Sequence, residues 1–455
     1  MSGINIRKNR GAALLMFVMI SIIVASALLL KALNIANISG LSSERQVLNQ
    51  AKQALLGYAI SYGDKNLNRL PGYLPCPDRT GDGLADSPCG GVNSSVMGRL
   101  PWKTLGLPAL RDGAGECLWY AVSGAYKESP QGALSTDADG QFLLFDAKLN
   151  SLNGLNNKDA AIAIIFSAGK AVANQNRSVT AGNTTECGST RAVDGVNLTR
   201  NYFEQLSNIN NANGSYGSAT LLGLPISPVP SVNFSVFIDS GPVPAEAPRS
   251  FNDTLMKLSA RDMQKNYTYM QKWVGKRVRQ CLARYAANNA GKLPWPAVLI
   301  PPGNPSYNDN ATQQRFGRIA SNLSNSQANG LNPIWPMDPL QAGTRCFNWN
   351  WWPTFRETVF YAIDNTVTAI GIPAALSLTV DTVATTAVIL VAGRKVDTQQ
   401  RITGTNKATL SNYLESGNVI DLSTGSIPPG DENFISSDTA AAFFNDYVCT
   451  LSSCP

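Results

Sequence analysis

Residues 163–177 read AIIFSAGKAVANQNR, and residues 387–401 read AVILVAGRKVDTQQR. The two stretches align without a gap. Ala163/Ala387, Ile165/Ile389, Ala168/Ala392, Gly169/Gly393, Val172/Val396, Gln175/Gln399 and Arg177/Arg401 coincide. A short apolar run closed by Ala-Gly reads as a buried strand leaving into a turn. Amphipathic coincidence alone would not hold the glycine and the arginine in register. Five further matches fall in the same order: QALLGYA (53–59) with QCLARYA (280–286), Leu70-Pro71 with Leu293-Pro294, ECLWYAV (116–122) with ETVFYAI (357–363), NYFE (201–204) with NYLE (412–415), and FNDTLMKLS (251–259) with FNDYVCTLS (444–452). The body reads as an internal duplication, with a first module over 31–260, including its N-terminal helix, and a second over 261–455.

Each module opens with a helix, passes a proline-rich loop and continues into short apolar strands. LWYAVS and IAIIFSAG are the strand candidates in the first module, VFYAID and AVILVAG in the second. Helix first and strands after is an α+β order, with an antiparallel sheet packed on a helix. In the opening helix of module one, Val47, Ala51, Ala54, Leu55, Tyr58 and Ala59 recur at three- and four-residue spacing from Ser43 to Tyr62. The second opening helix is expected over about 260–289, without an apolar run long enough to cross a membrane.

Composition restricts the chemistry. The 455 residues contain no histidine, which excludes Ser-His-Asp and Cys-His catalysis and every histidine-bearing zinc site. Carboxylate-only hydrolysis stays open, with Asp82 or Asp253 as the acids to test. No phosphate-binding loop, dinucleotide fingerprint or nucleophile elbow occurs. The formal charge of +6 is spread out, so no specific nucleic-acid partner is expected. Eight cysteines without a C-x-x-C pair read as disulfides of an oxidising compartment. Proximity and module membership suggest Cys76 with Cys89, Cys117 with Cys187, Cys281 with Cys346, and Cys449 with Cys454.

The N-terminus sets the expected compartment. Residues 1–11, MSGINIRKNRG, are polar and basic, and 12–30, AALLMFVMISIIVASALLL, are apolar throughout. As a helix this run would be roughly 28 Å long, the thickness of a bilayer core. The preceding Arg7, Lys8 and Arg10 would stay in the cytoplasm. The segment reads as a single-span anchor, as a Sec signal cut after Ala25-Ser26-Ala27, or as a leader cut at Gly11, just before the apolar run.

The basic leader, Gly11 and the unbroken apolar helix resemble type IV prepilins and type II secretion pseudopilins. In the body the resemblance is carried by LPGYLPCPDRTGDG (70–83), GRLPWKTLGL (98–107), the YAV strand and the FND ending. It covers nearly the whole body and is stronger in module one. It implies an α+β fold in which a long N-terminal membrane-spanning helix precedes two tandem pilin-like modules, each a helix packed on an antiparallel sheet. It implies a leader over 1–11, cleavage after Gly11 by a prepilin peptidase, Ala12 as the new N-terminus, and a bacterial inner-membrane, single-pass location with the body in the periplasm, or assembly into a filament or at the cell surface. The partners would be other pilins or pseudopilins, met through the N-terminal helix. Most pilins carry a glutamate at the fifth residue after the cut, where this chain has Met16; the family's tip and initiating subunits also tend to lack it. The implied function is that of a minor pilin or pseudopilin, not an enzyme. The alternative is a Sec-exported two-module binding protein.

One loop invites a metal. Asp78, Thr80, Asp82 and Asp86 alternate with glycine after the third position, like the start of an EF-hand calcium loop. The closing acid of that pattern would fall on Cys89, and a polar Asp-Gly turn is the bland reading. Related pseudopilins often hold Ca2+ in loops. The aromatic cluster Phe347, Trp349, Trp351, Trp352 and Phe355 is expected in core and inter-module packing rather than as an exposed platform. Lys272, Lys276, Arg277, Arg279 and Arg284 are expected on a solvated helix face. The shared Arg177/Arg401, Asn201/Asn412, Asn252/Asn445 and Asp253/Asp446 are expected as structural caps and ion pairs.

Overall fold

In the computed structural model the described residues are 43–66, 68–153, 160–172, 175–178, 186–188, 198–216, 235–239, 251–297, 299, 315–328, 330–364, 378–396, 398–419, 433–437 and 444–455, together with Met19, Ile22 and Ser26. Helix α1 runs over residues 43–65. Leu48, Ala51, Leu55, Ala59 and Tyr62, all within one stripe at three- and four-residue spacing, are buried. Gln46, Gln50, Gln53 and Gly57 form the exposed side. Helix α2, Gln264–Asn288, repeats the arrangement with Tyr267, Met270, Val274, Val278 and Cys281 inward. Past its end Gly291, at φ 80°, donates its amide back to the Ala286 carbonyl at 2.8 Å, the left-handed closure that glycine permits. Helices α3 (Asn325–Ala328), α4 (Trp352–Phe355) and α5 (Gly404–Ala408) are single turns.

The first half contains strands β1 (Val96–Arg99), β2 (Trp119–Val122), β3 (Phe142–Asp146), β4 (Ala163–Ser167), three two-residue strands β5 (Gln205–Leu206), β6 (Ile209–Asn210) and β7 (Ser215–Tyr216), then β8 (Ser235–Asp239) and β9 (Thr254–Leu258). The second contains β10 (Phe316–Arg318), β11 (Val359–Ile363), β12 (Leu378–Val380), β13 (Val383–Thr385), β14 (Ala387–Val391), β15 (Asn433–Phe434) and β16 (Tyr447–Thr450). The main sheets have the orders β1-β2-β4-β9 and β10-β11-β14-β16, antiparallel throughout. Each half adds a parallel ribbon, β3 with β8 and β12 with β15. The four matched strands β2, β4, β11 and β14 therefore occupy the centres of equivalent sheets.

These central strands are buried at every position, and apolar at all but Ser167, because both faces are covered. Tyr120, Val122, Ala163 and Ile165, with Tyr361, Ile363, Ala387 and Ile389, turn to a core that also takes the inward stripes of α1 and α2. The alternate residues pack elsewhere: Trp119 and Phe166 against Tyr202, Phe203 and Phe237, and Phe360 and Leu390 against Leu410, Tyr413 and Phe434. The two halves thus share one central core and keep separate outer clusters.

Polar contacts reinforce that junction. The Tyr126 and Tyr267 hydroxyls meet at 2.7 Å, and Lys52 pairs with Asp262 at 2.7 Å. The loop carrying Asp137 and Asp139 reaches the other half: Arg394 pairs with Asp139 at 2.8 Å, Arg401 with Asp137 at 2.8 Å, and the Lys395 amide donates to Asp137 at 2.7 Å.

The expected fold class and location need correction. No helix among the described residues is long and apolar enough to cross a membrane. The longest complete one, α2, carries Lys265, Lys272, Lys276, Arg277, Arg279 and Arg284, and each ionised group would face a steep penalty in hydrocarbon. The membrane-spanning N-terminal helix, and the single-pass inner-membrane location built on it, are withdrawn. Gly11, Ala12 and Met16 lie outside the described residues, as does the 12–30 segment apart from Met19, Ile22 and Ser26, which are helical. The opening helices of the two halves are buried in one common core. Four disulfides join Cys76–Cys89, Cys117–Cys187, Cys281–Cys346 and Cys449–Cys454, a density that belongs to an oxidising, extracytoplasmic setting.

Candidate functional site

The polar residues shared by the two halves build the same node twice. After β4, the Arg177 guanidinium donates to the carbonyls of Gly169 (2.6 Å), Asn201 (2.9 Å) and Tyr202 (3.2 Å), and to Gln175 Oε1 (2.6 Å). After β14, Arg401 donates to Gly393 (3.1 Å), Asn412 (2.6 Å), Tyr413 (3.5 Å) and Gln399 Oε1 (2.9 Å). Each arginine also lies over a tyrosine ring, Tyr202 at 5.0 Å and Tyr413 at 4.6 Å. A planar fork of five donors matches this ring of carbonyls in a way no lysine could. Asn252 and Asn445 donate across the turn to the Lys170 and Arg394 carbonyls at 2.7 and 2.8 Å. A Cβ on Gly393 would sit 2.0 Å from Asn445 Oδ1, so the matched glycine answers to close approach.

Behind each node is a buried acid pair. Asp253 Oδ2 accepts from the Glu204 amide (3.1 Å) and Asn211 Nδ2 (2.9 Å), while Glu204 accepts from Gln175 (2.6 Å) and the Asn252 amide (3.0 Å). Asp446 Oδ2 accepts from the Glu415 amide (3.0 Å) and Asn418 Nδ2 (3.1 Å), and Glu415 from Gln399 (3.0 Å) and the Asn445 amide (3.0 Å). Burial first, and the Glu204 charge second, push the Asp253 carboxyl far above its ordinary range. Burial and the Glu415 charge do the same to Asp446. Asp253 is fully buried and Asp446 is 6% exposed, so neither pair is offered to solvent as a hydrolase's acids would be. The shared residues are knots that tie strand ends to loops.

A second repeated feature escapes motif reading. Arg99 and Arg318 end the edge strands β1 and β10 and are buried at 1% and 0% exposure. Arg99 lies between Trp119 (4.0 Å) and Tyr202 (4.2 Å), and Arg318 between Phe360 and Tyr413 (both 5.1 Å). Each donates to the main chain before the central strand, at Cys117 (3.0 Å) and Glu357 (3.0 Å). The available signal was the Gly-Arg dipeptide at 98–99 and 317–318.

The 78–86 loop spends its carboxylates on its own backbone. Asp78, fully buried, accepts from the amides of Thr80 (3.0 Å), Gly81 (2.6 Å) and Gly83 (2.7 Å). Asp86 accepts from the amides of Arg79 (2.6 Å) and Thr80 (2.9 Å), and Asp82 from that of Leu84 (2.8 Å). Burial raises the Asp78 carboxyl above its usual range against these donors. Among the described residues no three His, Cys, Asp or Glu side chains converge as a metal site would require. The loop is a turn capped by its own aspartates and stapled by Cys76–Cys89.

The aromatic cluster lies inside the molecule: Trp349, Trp351 and Trp352 are 3%, 7% and 1% exposed. Trp349 and Trp351 stack at 4.7 Å, and Trp273 of α2 meets Trp351 edge-on at 5.3 Å. The basic residues of α2 split. Lys276 and Arg284 are exposed, but Arg277 is 5% exposed and donates to Asp338 and to Asn68 Oδ1, both at 2.6 Å. Trp349 donates to the same Asp338 at 2.7 Å.

Above this bridge opens a cleft of about 660 Å³ between the halves. Its walls carry Asn68, Asn93 and Gln131 from the first half, and Gln341, Asn348 and Asn350 from the second, with Trp349 and Trp351 beside them. Loops far apart in sequence supply these amides, so no spacing announced them. Compared with known protein families, curated proteins and solved structures, the chain gave no match.

Proposed function

We propose that the chain is a structural subunit of an exported bacterial assembly of the type IV filament kind, a minor pilin or pseudopilin, and that it works by assembly rather than catalysis. The single observation that supports this most is the inward commitment of the shared polar residues. Arg177/Arg401, Asn252/Asn445 and Asp253/Asp446 hydrogen-bond loops and strand ends within each half. A duplicated enzyme would be expected to turn at least one such set toward a cleft. In this reading a prepilin peptidase cuts after Gly11, the N-terminal segment beginning at Ala12 packs with those of other pilins, and Met16 in place of the usual glutamate fits a tip or initiating position. The exposed stripe of α1, with Gln46, Gln50 and Gln53, faces those partners.

The test is photo-cross-linking in the native cell from a reactive residue placed at Gln46, Gln50 or Gln53. Adducts with pilin-like subunits are expected. Adducts with none, or only with unrelated proteins, would remove the assembly role.

A further inference from the structure

We propose that the cleft between the two halves is a binding site for a neutral oligosaccharide. The inference stands independently of the filament reading. Its first ground is the chemistry of the walls. Asn68, Asn93, Gln131, Gln341, Asn348 and Asn350 converge there, each with a primary amide. A primary amide offers a donor and an acceptor side by side, the complement of vicinal hydroxyls on a sugar ring. Among the described residues the side chains of Gln341, Asn348 and Asn350 make no hydrogen bond to protein, so their capacity is free for a ligand.

The second ground is what the walls lack. Among the described residues no carboxylate lines the cleft, and Arg69, the one charged residue there, donates to Gln131 Oε1. A site for a cation or a polyanion would carry a clear excess of one sign. The third ground is aromatic. Trp349, Trp351 and Tyr73 border the cleft, and their edges would give the C–H groups of a sugar ring an apolar contact.

The floor is preorganised. Arg277 holds Asn68 and Asp338 at 2.6 Å each, Trp349 donates to that Asp338 at 2.7 Å, and Cys281–Cys346 ties α2 to the aromatic loop. Fixed walls reduce the ordering cost of binding. The volume, about 660 Å³, lies within the range of small-molecule sites and suits two or three sugar rings better than a peptide helix.

The experiment is saturation-transfer NMR on the full chain with maltotriose, cellotriose and chitotriose at millimolar concentration, followed by titration of any trisaccharide that responds. At least one is expected to bind. In the Asn348→Ala/Asn350→Ala double variant its affinity should fall about tenfold, the loss of one to two hydrogen bonds, with an unchanged melting temperature because neither side chain serves the fold. Failure of all three sugars to bind, or binding of equal strength in the double variant, would overturn the assignment. A Val383→Ala variant on the outer ribbon should bind like the unaltered chain; a comparable loss there would likewise refute localisation to the cleft.

Discussion

At the residue scale, the duplicated knots make opposite demands on charge and shape. Asp253 and Asp446 lie beside Glu204 and Glu415, and burial together with that neighbouring charge raises their affinity for protons. A folded-state pKa above the unfolded one stabilises the native chain fully below about pH 4, where both states are protonated, and that contribution is lost as the pH climbs through the folded value. Asparagine keeps the shape and removes the titration. The melting temperature of Asp253→Asn/Asp446→Asn, minus that of the unaltered chain, should therefore become more positive from acid to alkaline pH. A difference that stays flat with pH would contradict the buried-carboxyl account. Arg177→Ala and Arg401→Ala should each cost about 2–4 kcal/mol in denaturant unfolding, since each strands several buried carbonyls. Arg401→Ala should cost more, because it also releases Asp137 of the other half.

Pair by pair, these residues were legible from the repeat, and their inward role followed from finding the same polar types after the same strands. Arg99 and Arg318 were not, because two residues in common are too few to stand out. The aspartates at 78, 82 and 86 carry a pattern with more than one use. Oxygen-bearing residues at alternating positions suit a cation and suit a turn's amides equally well, and only geometry separates the two. Here the amides of Thr80, Gly81 and Gly83 take Asp78.

At the scale of elements, strand order is set by apolar runs and closed by small residues. VFYAI and AVILV are central because both faces are buried, so alternation is absent from their sequences. The edge strand β10 meets the main chain at Ala297, and a Cβ on Gly317 would lie 2.0 Å from the Ala297 carbonyl oxygen. Gly317→Ala should lose that edge and about 2–4 kcal/mol of stability; a melting temperature within a degree or so of the unaltered chain would show that the edge gives way freely. The parallel ribbons β3–β8 and β12–β15 were unreadable in advance, since their partners are separated by long intervening segments. The stapled loop is tested by Cys76→Ala/Cys89→Ala, which should lower stability by about 3 kcal/mol in oxidised protein and leave a reduced sample nearly unaffected.

At the scale of the whole molecule, duplication does not mean two independent bodies. Inward stripes from α1 and α2 and inner faces of both sheets make one core, and Arg394, Lys395 and Arg401 close over the Asp137–Asp139 loop. The full chain should unfold in a single calorimetric transition, and residues 261–455 alone should fail to give native-like unfolding. Two resolved transitions would contradict the shared core. The repeat itself was visible in the letters; the sharing was not, because amphipathic stripes say what is buried and not against which neighbour. The same ignorance of partners hid the cleft, whose amides come from separate loops of both halves.

The assembly role depends on how the N-terminus is handled, and intact-mass measurement of the mature protein from its native cell tests it most directly. The account predicts a chain beginning at Ala12, the product of a cut after Gly11. A chain beginning at Leu28, as a Sec signal peptidase would leave it, would contradict the filament-subunit reading.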